Sequence, residues 1–240
     1  MDRRPGLGGL LHFVGEVLRG DTLRLRMAEL DQYRPRRIIN PLLAFLYSTD
    51  EEVKWHAVTA VGHVTARMAR DEMEAARNIM RRLIWNLNDE SGGIGWGSGE
   101  AMGEIMAREQ RIAEEFAPIL ISYIREDGNR LENDILERGV LWGVGRLAQE
   151  RPEKVQCAAV HLVPYLASCD SLHRGLAAWI LGFLDATAVK EAVEPLLDDV
   201  DRIRMYENEE LKDFRVADLA ARIFPIMGEG TKKTMKSGKF

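Results

Sequence analysis

Residues 85–106 read WNLNDESGGIGWGSGEAMGEIM. The stretch leaves an amphipathic helix, crosses an Asn/Asp/Ser cluster, passes five glycines between Gly92 and Gly99, and enters a second helix carrying Glu100 and Glu104. A glycine inside a helix costs about 1 kcal/mol relative to alanine. Something must offset that cost, either the close approach of another backbone or access for a ligand. The helical end of the stretch, IGWGSGEAMGEI (94–105), recurs along the chain. VKWHAVTAVGHV (53–64), LERGVLWGVGRL (136–147), HRGLAAWILGFL (173–184) and KDFRVADLAARI (212–223) align with it. The shared small residues are Gly62, Gly103, Gly145, Gly182 and Ala221, separated by 41, 42, 37 and 39 residues. A period of about 40 residues holding two helices marks an α-solenoid.

Helical periodicity extends over nearly the whole chain, with Gly and Pro mostly between periodic segments. The pattern predicts about a dozen helices, at 7–18, 21–31, 36–48, 50–70, 72–87, 91–107, 111–126, 131–149, 152–168, 171–184, 187–199 and 208–225. No long run alternates apolar and polar residues, and no Asn-Gly or Asp-Gly hairpin turn occurs. The expected fold is all-α, a right-handed superhelix of about five helix pairs with no sheet of three or more strands. Residues 1–35 form an N-terminal helical cap and 36–227 the repeat array. The tail 228–240, GEGTKKTMKSGKF, is too poor in apolar residues to pack and is expected to be a disordered basic tail.

The two faces of each recurring helix differ. Counting from the anchor small residue at about 100° per residue, positions −5, −2, −1 and +2 share one face. They hold Ala57, Ala60, Val61 and Val64 in the first unit and equally apolar or small residues in the others, Ser98 excepted. Positions −7, −3 and +1 lie about 150° away. They hold Trp55, Thr59 and His63; Trp96, Glu100 and Glu104; Arg138, Trp142 and Arg146; Gly175, Trp179 and Phe183; then Phe214, Asp218 and Arg222. Second helices of a stacked array line its concave surface about 10 Å apart, so four of the five tryptophans belong to one surface. Either they form a binding face of Trp and Arg, or they pack against each other along the inner curve. The binding reading expects Trp96 and Trp142 to be exposed and Trp179 to be the most buried.

These repeats resemble the HEAT-like family, including the repeats first noticed in phycobilisome lyases, whose second helices carry a similar VRxxAxxALGxL pattern. Residues 53–64 fit best, with Lys54 where that family usually has Arg. The 171–184 helix fits less well, and 212–223 replaces the small Gly by Ala221. The resemblance covers roughly 36–225. It implies the superhelical fold and is nearly silent on activity, because the family includes scaffolds and a few enzymes.

With 46% hydrophobic residues the chain can build a sizeable core, and a net charge of −5 argues against a general nucleic-acid binder. Arginines gather in the first forty residues and lysines in the last nine, which reads as solvated ends. Cys157 and Cys169 have neither metal spacing nor a disulfide framework. With no signal peptide and no membrane-length apolar run, a cytoplasmic protein is expected.

Glu100 and Glu104 stand four apart on one helical face. They could hold a metal, share a proton or grip a cation, or pair with Arg138 and Arg146 of the next unit or His63 of the previous one. No metal-binding motif accompanies them. GGIGWGSG lacks the strand and the Gly-Lys-Ser/Thr of a phosphate loop, and its acidic neighbours oppose an anion. A partner chain or a flat ligand stacked on Trp96 suits it better, as does tight helix packing. No nucleophile elbow, kinase signature or dinucleotide fingerprint is present, so no catalytic residue, metal or cofactor is assigned. The leading expectation is a non-enzymatic interaction or scaffold module. It binds a protein partner on a concave face made of Trp55, His63, Trp96, Glu100, Glu104, Arg138, Trp142, Arg146 and Trp179. The alternative is a cofactor-handling or lyase-like protein with a pocket for a small aromatic ligand at the glycine-rich helix 91–107, an analogy of fold alone.

Overall fold

The structure is a computed structural model that describes residues 6–20, 23–89 and 95–224. Helices α1 (Leu7–Leu18) and α2 (Leu23–Leu30) lead into the array. Unit one pairs α3 (Pro35–Ala44) with α4 (Glu51–Asp71), unit two pairs α5 (Met73–Leu87) with α6 (Ser98–Arg108), and unit three pairs α7 (Gln110–Ser122) with α8 (Asp134–Glu150). In unit four the first helix is divided into α9 (Pro152–Val155), a 3-10 stretch (Gln156–Leu162) and α10 (Val163–Leu166). Its second helix is α11 (Ser171–Leu181). Unit five begins with the short segments Thr187–Val189, α12 (Lys190–Val193) and Glu194–Asp198. It then departs into a hairpin of β1 (Arg202–Glu207) and β2 (Glu210–Arg215) before its second helix, α13 (Val216–Ala221).

Local chemistry sets the boundaries. Second helices start at side-chain caps: Asp50 accepts from Val53 N–H (3.1 Å), Asn133 from Ile135 and Leu136 N–H (3.0 and 3.2 Å), and Asp170 from Leu172 N–H (2.9 Å). Two lack such a cap: α13, which follows Arg215, and α6, which is preceded by Gly97 at φ +72. A Cβ there would meet Leu46 Cβ at 2.9 Å, so both the left-handed backbone and the space require glycine. Second helices end where Glu72, Glu109 and Arg151 take non-helical φ values of −137, −129 and −141. Arginines of following units cover the freed carbonyls: Arg111 donates to Ala69 O (3.0 Å) and Arg151 to Met106 O (3.2 Å).

Consecutive second helices α4, α6, α8, α11 and α13 pack on one another, whereas first helices touch each other little. The stack therefore curves toward the second-helix layer, which forms its inner face. The tightest approach is α6 on α8, where a Cβ on Gly103 would lie 2.3 Å from Gly143 Cα and one on Gly99 2.7 Å from Val140 N. Glycine is the only residue that allows this separation, and the contact offsets its helical cost. The stripe facing the first helices is buried as expected, except that Leu184 and Ile223 are half-buried.

Four expected helices are corrected. The helix expected at 152–168 is interrupted by the 3-10 stretch Gln156–Leu162, after which Pro164 sits in the first turn of α10, where its missing N–H is tolerated. Of the helix expected at 91–107, residues 91–94 lie outside the described residues, and α6 begins at Ser98 after the left-handed Gly97. The helix expected at 208–225 is strand up to Arg215, and the one expected at 187–199 is mostly 3-10. The hairpin turns through Asn208 (φ 55) and Glu209 (φ 65), two left-handed residues in succession, as a primed two-residue turn requires. Asn-Glu is a poor example of that turn chemistry, so the usual sequence signal was missing. An alternation was nevertheless present in Arg202-Ile203-Arg204-Met205, with Ile203 and Met205 buried and both arginines exposed. The expected tail 228–240 lies outside the described residues.

Candidate functional site: an inner face closed at its centre by a hairpin

The hairpin crosses the inner face and covers the tryptophan row. Tyr206 stacks on Trp55 with ring centroids 5.1 Å apart and planes inclined by 6°. Trp142 lies 4.7 Å from Trp55 and 6.4 Å from Trp179, so three units contribute to one aromatic cluster. Trp142 Nε1 donates to the Tyr206 carbonyl (2.8 Å) and Trp179 Nε1 to a Glu207 carboxylate oxygen (2.9 Å). Ile203 fills the space above Gly175, where a Cβ would stand 2.3 Å from Ile203 Cδ1. Trp55, Trp142 and Trp179 are accordingly 8%, 3% and 1% exposed. Burial pushes the Tyr206 phenol up to about 12, with the Thr59 hydroxyl opposing the shift.

Sequence spacing placed most of the row correctly and two members wrongly. Trp142 is buried, contrary to its expected exposure, because the hairpin covers it. Trp96 is 38% exposed and does not join the cluster, because it precedes Gly97 and so lies outside the helical phase of α6. Phe214 belongs to β2, not to a second helix. The missed members are Met205, Tyr206 and Glu207, which no helical projection could supply.

The inner carboxylates are buried and paired with cations. Glu104, 3% exposed, accepts from Arg108 Nε (2.5 Å) and Arg146 Nε (2.6 Å), the second being one of the two arginines expected. Glu100, 5% exposed, takes Lys54 Nζ (2.6 Å). Arg138 goes instead to Asp170 (2.7 Å), and His63 to Asp31 (2.7 Å). At Asp170, burial raises the carboxyl pKa, but the Leu172 N–H and the Arg138 guanidinium more than offset it and hold it below the usual carboxylate range. Among the described residues no group of three or more His, Cys, Asp and Glu side chains could hold a metal ion. Gly99 and Gly103 are used in the contact with α8, so they do not open a pocket.

Space remains on both sides of the hairpin. On one side Lys54, Trp55, Ile135, Arg138, Leu172 and Met205 border a cleft of about 150 Å³. On the other, a groove of about 340 Å³ crosses the C-terminal halves of α4, α6 and α8 between Arg67, Arg70, Arg108 and Arg146.

This architecture defines a helical-repeat solenoid, all-α among the described residues apart from one hairpin. Comparison with known proteins agrees. A designed armadillo repeat protein, YIII(Dq)4CqI, superposes with a TM-score of 0.55 at 16% identity, over 92% of this chain and 94% of that one. A second design, YIII(Dq.V1)4CPAF in complex with peptide (KR)4, gives 0.54 at 17% identity over 89% of each chain. No protein-family model matches the chain. An uncharacterized protein of Archaeoglobus fulgidus is 28% identical over 120 residues, which span 50% of this chain and 57% of that protein. The match thus covers just over half of that relative's length.

Proposed function

We propose that the chain is a non-enzymatic protein-interaction module of HEAT-like type that receives a partner protein on its inner face beside the hairpin. One observation carries the reading: the groove across α4, α6 and α8 stays open to solvent although the hairpin fills the adjoining centre of the same face. A surface lined by arginines from three successive units suits an extended partner segment, since each unit repeats the contact at one helix spacing. The armadillo design solved with peptide (KR)4 supports this reading, because a related fold there carries a peptide. Two helices per unit favour HEAT-like over armadillo repeats. Two exposed free cysteines suit a reducing, cytoplasmic setting, and among the described residues no helix is long and apolar enough to cross a membrane. The alternative cofactor pocket at the glycine-rich helix draws no support from Gly99 and Gly103, which face α8, or from Gly97, which packs on Leu46; Gly92 and Gly93 lie outside the described residues.

The test is site-specific photo-crosslinking in cells of the source organism, followed by reconstitution. A photoreactive residue at Gln149, beside the groove, is compared with one at Arg81 on the outer helix α5. A protein captured from Gln149 but not Arg81, which then forms a stable complex with the purified chain, supports the reading. Equal capture from both positions, or failure to reconstitute, refutes it.

A further inference from the structure

The groove across α4, α6 and α8 carries hydrogen-bond donors without acceptors. Its floor is Ala66 and Ala107, which leave room for a main chain. Arg70, at the exposed end of α4, makes no hydrogen bond or ion pair among the described residues. Among the described residues Arg108 is held only through Nε, by Glu104 beneath it, and its two terminal nitrogens have no partner there. Arg146 is gripped by the same carboxylate through Nε and by Glu150 through Nη1, and among the described residues its Nη2 has no partner. The buried carboxylate therefore acts as an anchor: it orients two guanidiniums and leaves their outer edges facing the groove. Preorganised guanidinium forks match carboxylates in two-point hydrogen bonds.

We infer that this groove binds an acidic, Asp/Glu-rich extended segment of the partner protein. This rests on the inner-face reading above and adds the partner's chemistry to it. Protein carboxylates fit better than a nucleic-acid backbone for two reasons. Asp31, Glu104 and Glu150 alternate with the arginines and would repel a continuous run of phosphates. The chain as a whole carries a net charge of −5, which offers no wider basic surface to a long polyanion.

The test uses the full purified chain and three fluorescein-labelled probes in low salt: an alternating Asp/Glu peptide, an alternating Lys/Arg peptide and a single-stranded oligonucleotide. Fluorescence anisotropy should show saturable binding of the acidic peptide, weakened about tenfold or more by Arg70→Glu and by Arg108→Glu. Arg81→Glu on the outer helix should leave it unchanged. Thermal melts check that the variants fold, and Arg70→Glu is expected to match wild type because Arg70 supports no internal contact. Acidic-peptide binding unaffected by Arg70→Glu and Arg108→Glu, or tighter groove-dependent binding of the oligonucleotide or the basic peptide, overturns the inference. If no acidic peptide binds while the partner crosslinked at Gln149 still reconstitutes, the acidic chemistry is wrong and the inner-face reading stands.

Discussion

Trp142→Ala removes the indole at the centre of the inner face. The ring is 3% exposed and lies 4.7 Å from Trp55, 6.3 Å from Tyr206 and 6.4 Å from Trp179. Deleting a buried aromatic ring of this kind costs about 3–5 kcal/mol. The Tyr206 carbonyl also loses the indole N–H that donates to it at 2.8 Å. A buried acceptor left unpaired costs about 1–3 kcal/mol more. The expected loss is therefore about 4 kcal/mol or more. Trp96, 38% exposed and outside the cluster, should lose about 1 kcal/mol or less on truncation. The two variants should differ by about 10 °C in Tm, given about 2–4 °C per kcal/mol in a chain near this size. Thermal denaturation of both, followed by circular dichroism, reads the difference. A double-mutant cycle of Trp142→Ala with Tyr206→Ala should return a coupling of about 1–2 kcal/mol, since the hairpin and the ring share contacts. A cost for Trp142→Ala below about 1.5 kcal/mol, or equal to that of Trp96→Ala, would refute the closed inner face.

Other outcomes follow from particular contacts. Gly103→Val should destabilise by about 3 kcal/mol or more by forcing α6 off α8, since even one added Cβ would stand 2.3 Å from Gly143 Cα. A urea melt close to wild type would contradict the glycine contact. Glu209→Gly should stabilise the chain by about 1 kcal/mol, because Glu209 holds φ 65 where glycine is unstrained; a destabilised variant would contradict the turn. Tyr206 is pushed up to about 12 by burial, above an unfolded value of about 10. Its contribution is thus fully present below about pH 10 and lost as pH rises through about 12. Tyr206→Phe should remove part of the alkaline loss seen in melts; an unchanged alkaline profile would place the phenol in solvent.

The layered fold was legible because it repeats. Gly62, Gly103, Gly145 and Gly182 recur in phase, and the residues around them sort onto two faces by helical arithmetic alone. The core stripe followed from that phase, as did the grouping of Trp55, Trp142 and Trp179. The burial of that group was not legible. It depends on Tyr206, which lies 64 residues beyond Trp142 and on a strand, and helical projection cannot relate the two. The hairpin itself was obscured by Asn208-Glu209, a turn that lacks the usual glycine. Glu104 and Arg146 were paired correctly because they face each other at the repeat spacing. Lys54 with Glu100 falls outside that rule, since the two are 46 residues apart and Lys54 stands one position outside the row that was projected. Trp96 was misplaced because Gly97 breaks the helix before reaching it.

The most direct measurement is solvent exchange of the indole N–H protons by NMR. Trp142 Nε1 donates to the Tyr206 carbonyl and Trp179 Nε1 to Glu207. Both indole protons should therefore exchange far more slowly than that of Trp85, whose side chain is on the surface at 62% exposure. Removing the Tyr206 ring with Tyr206→Ala keeps the carbonyl acceptor but uncovers the cluster, and should speed exchange at Trp142. If Trp142 exchanges as fast as Trp85 in the intact chain, the hairpin does not close the inner face and the account fails.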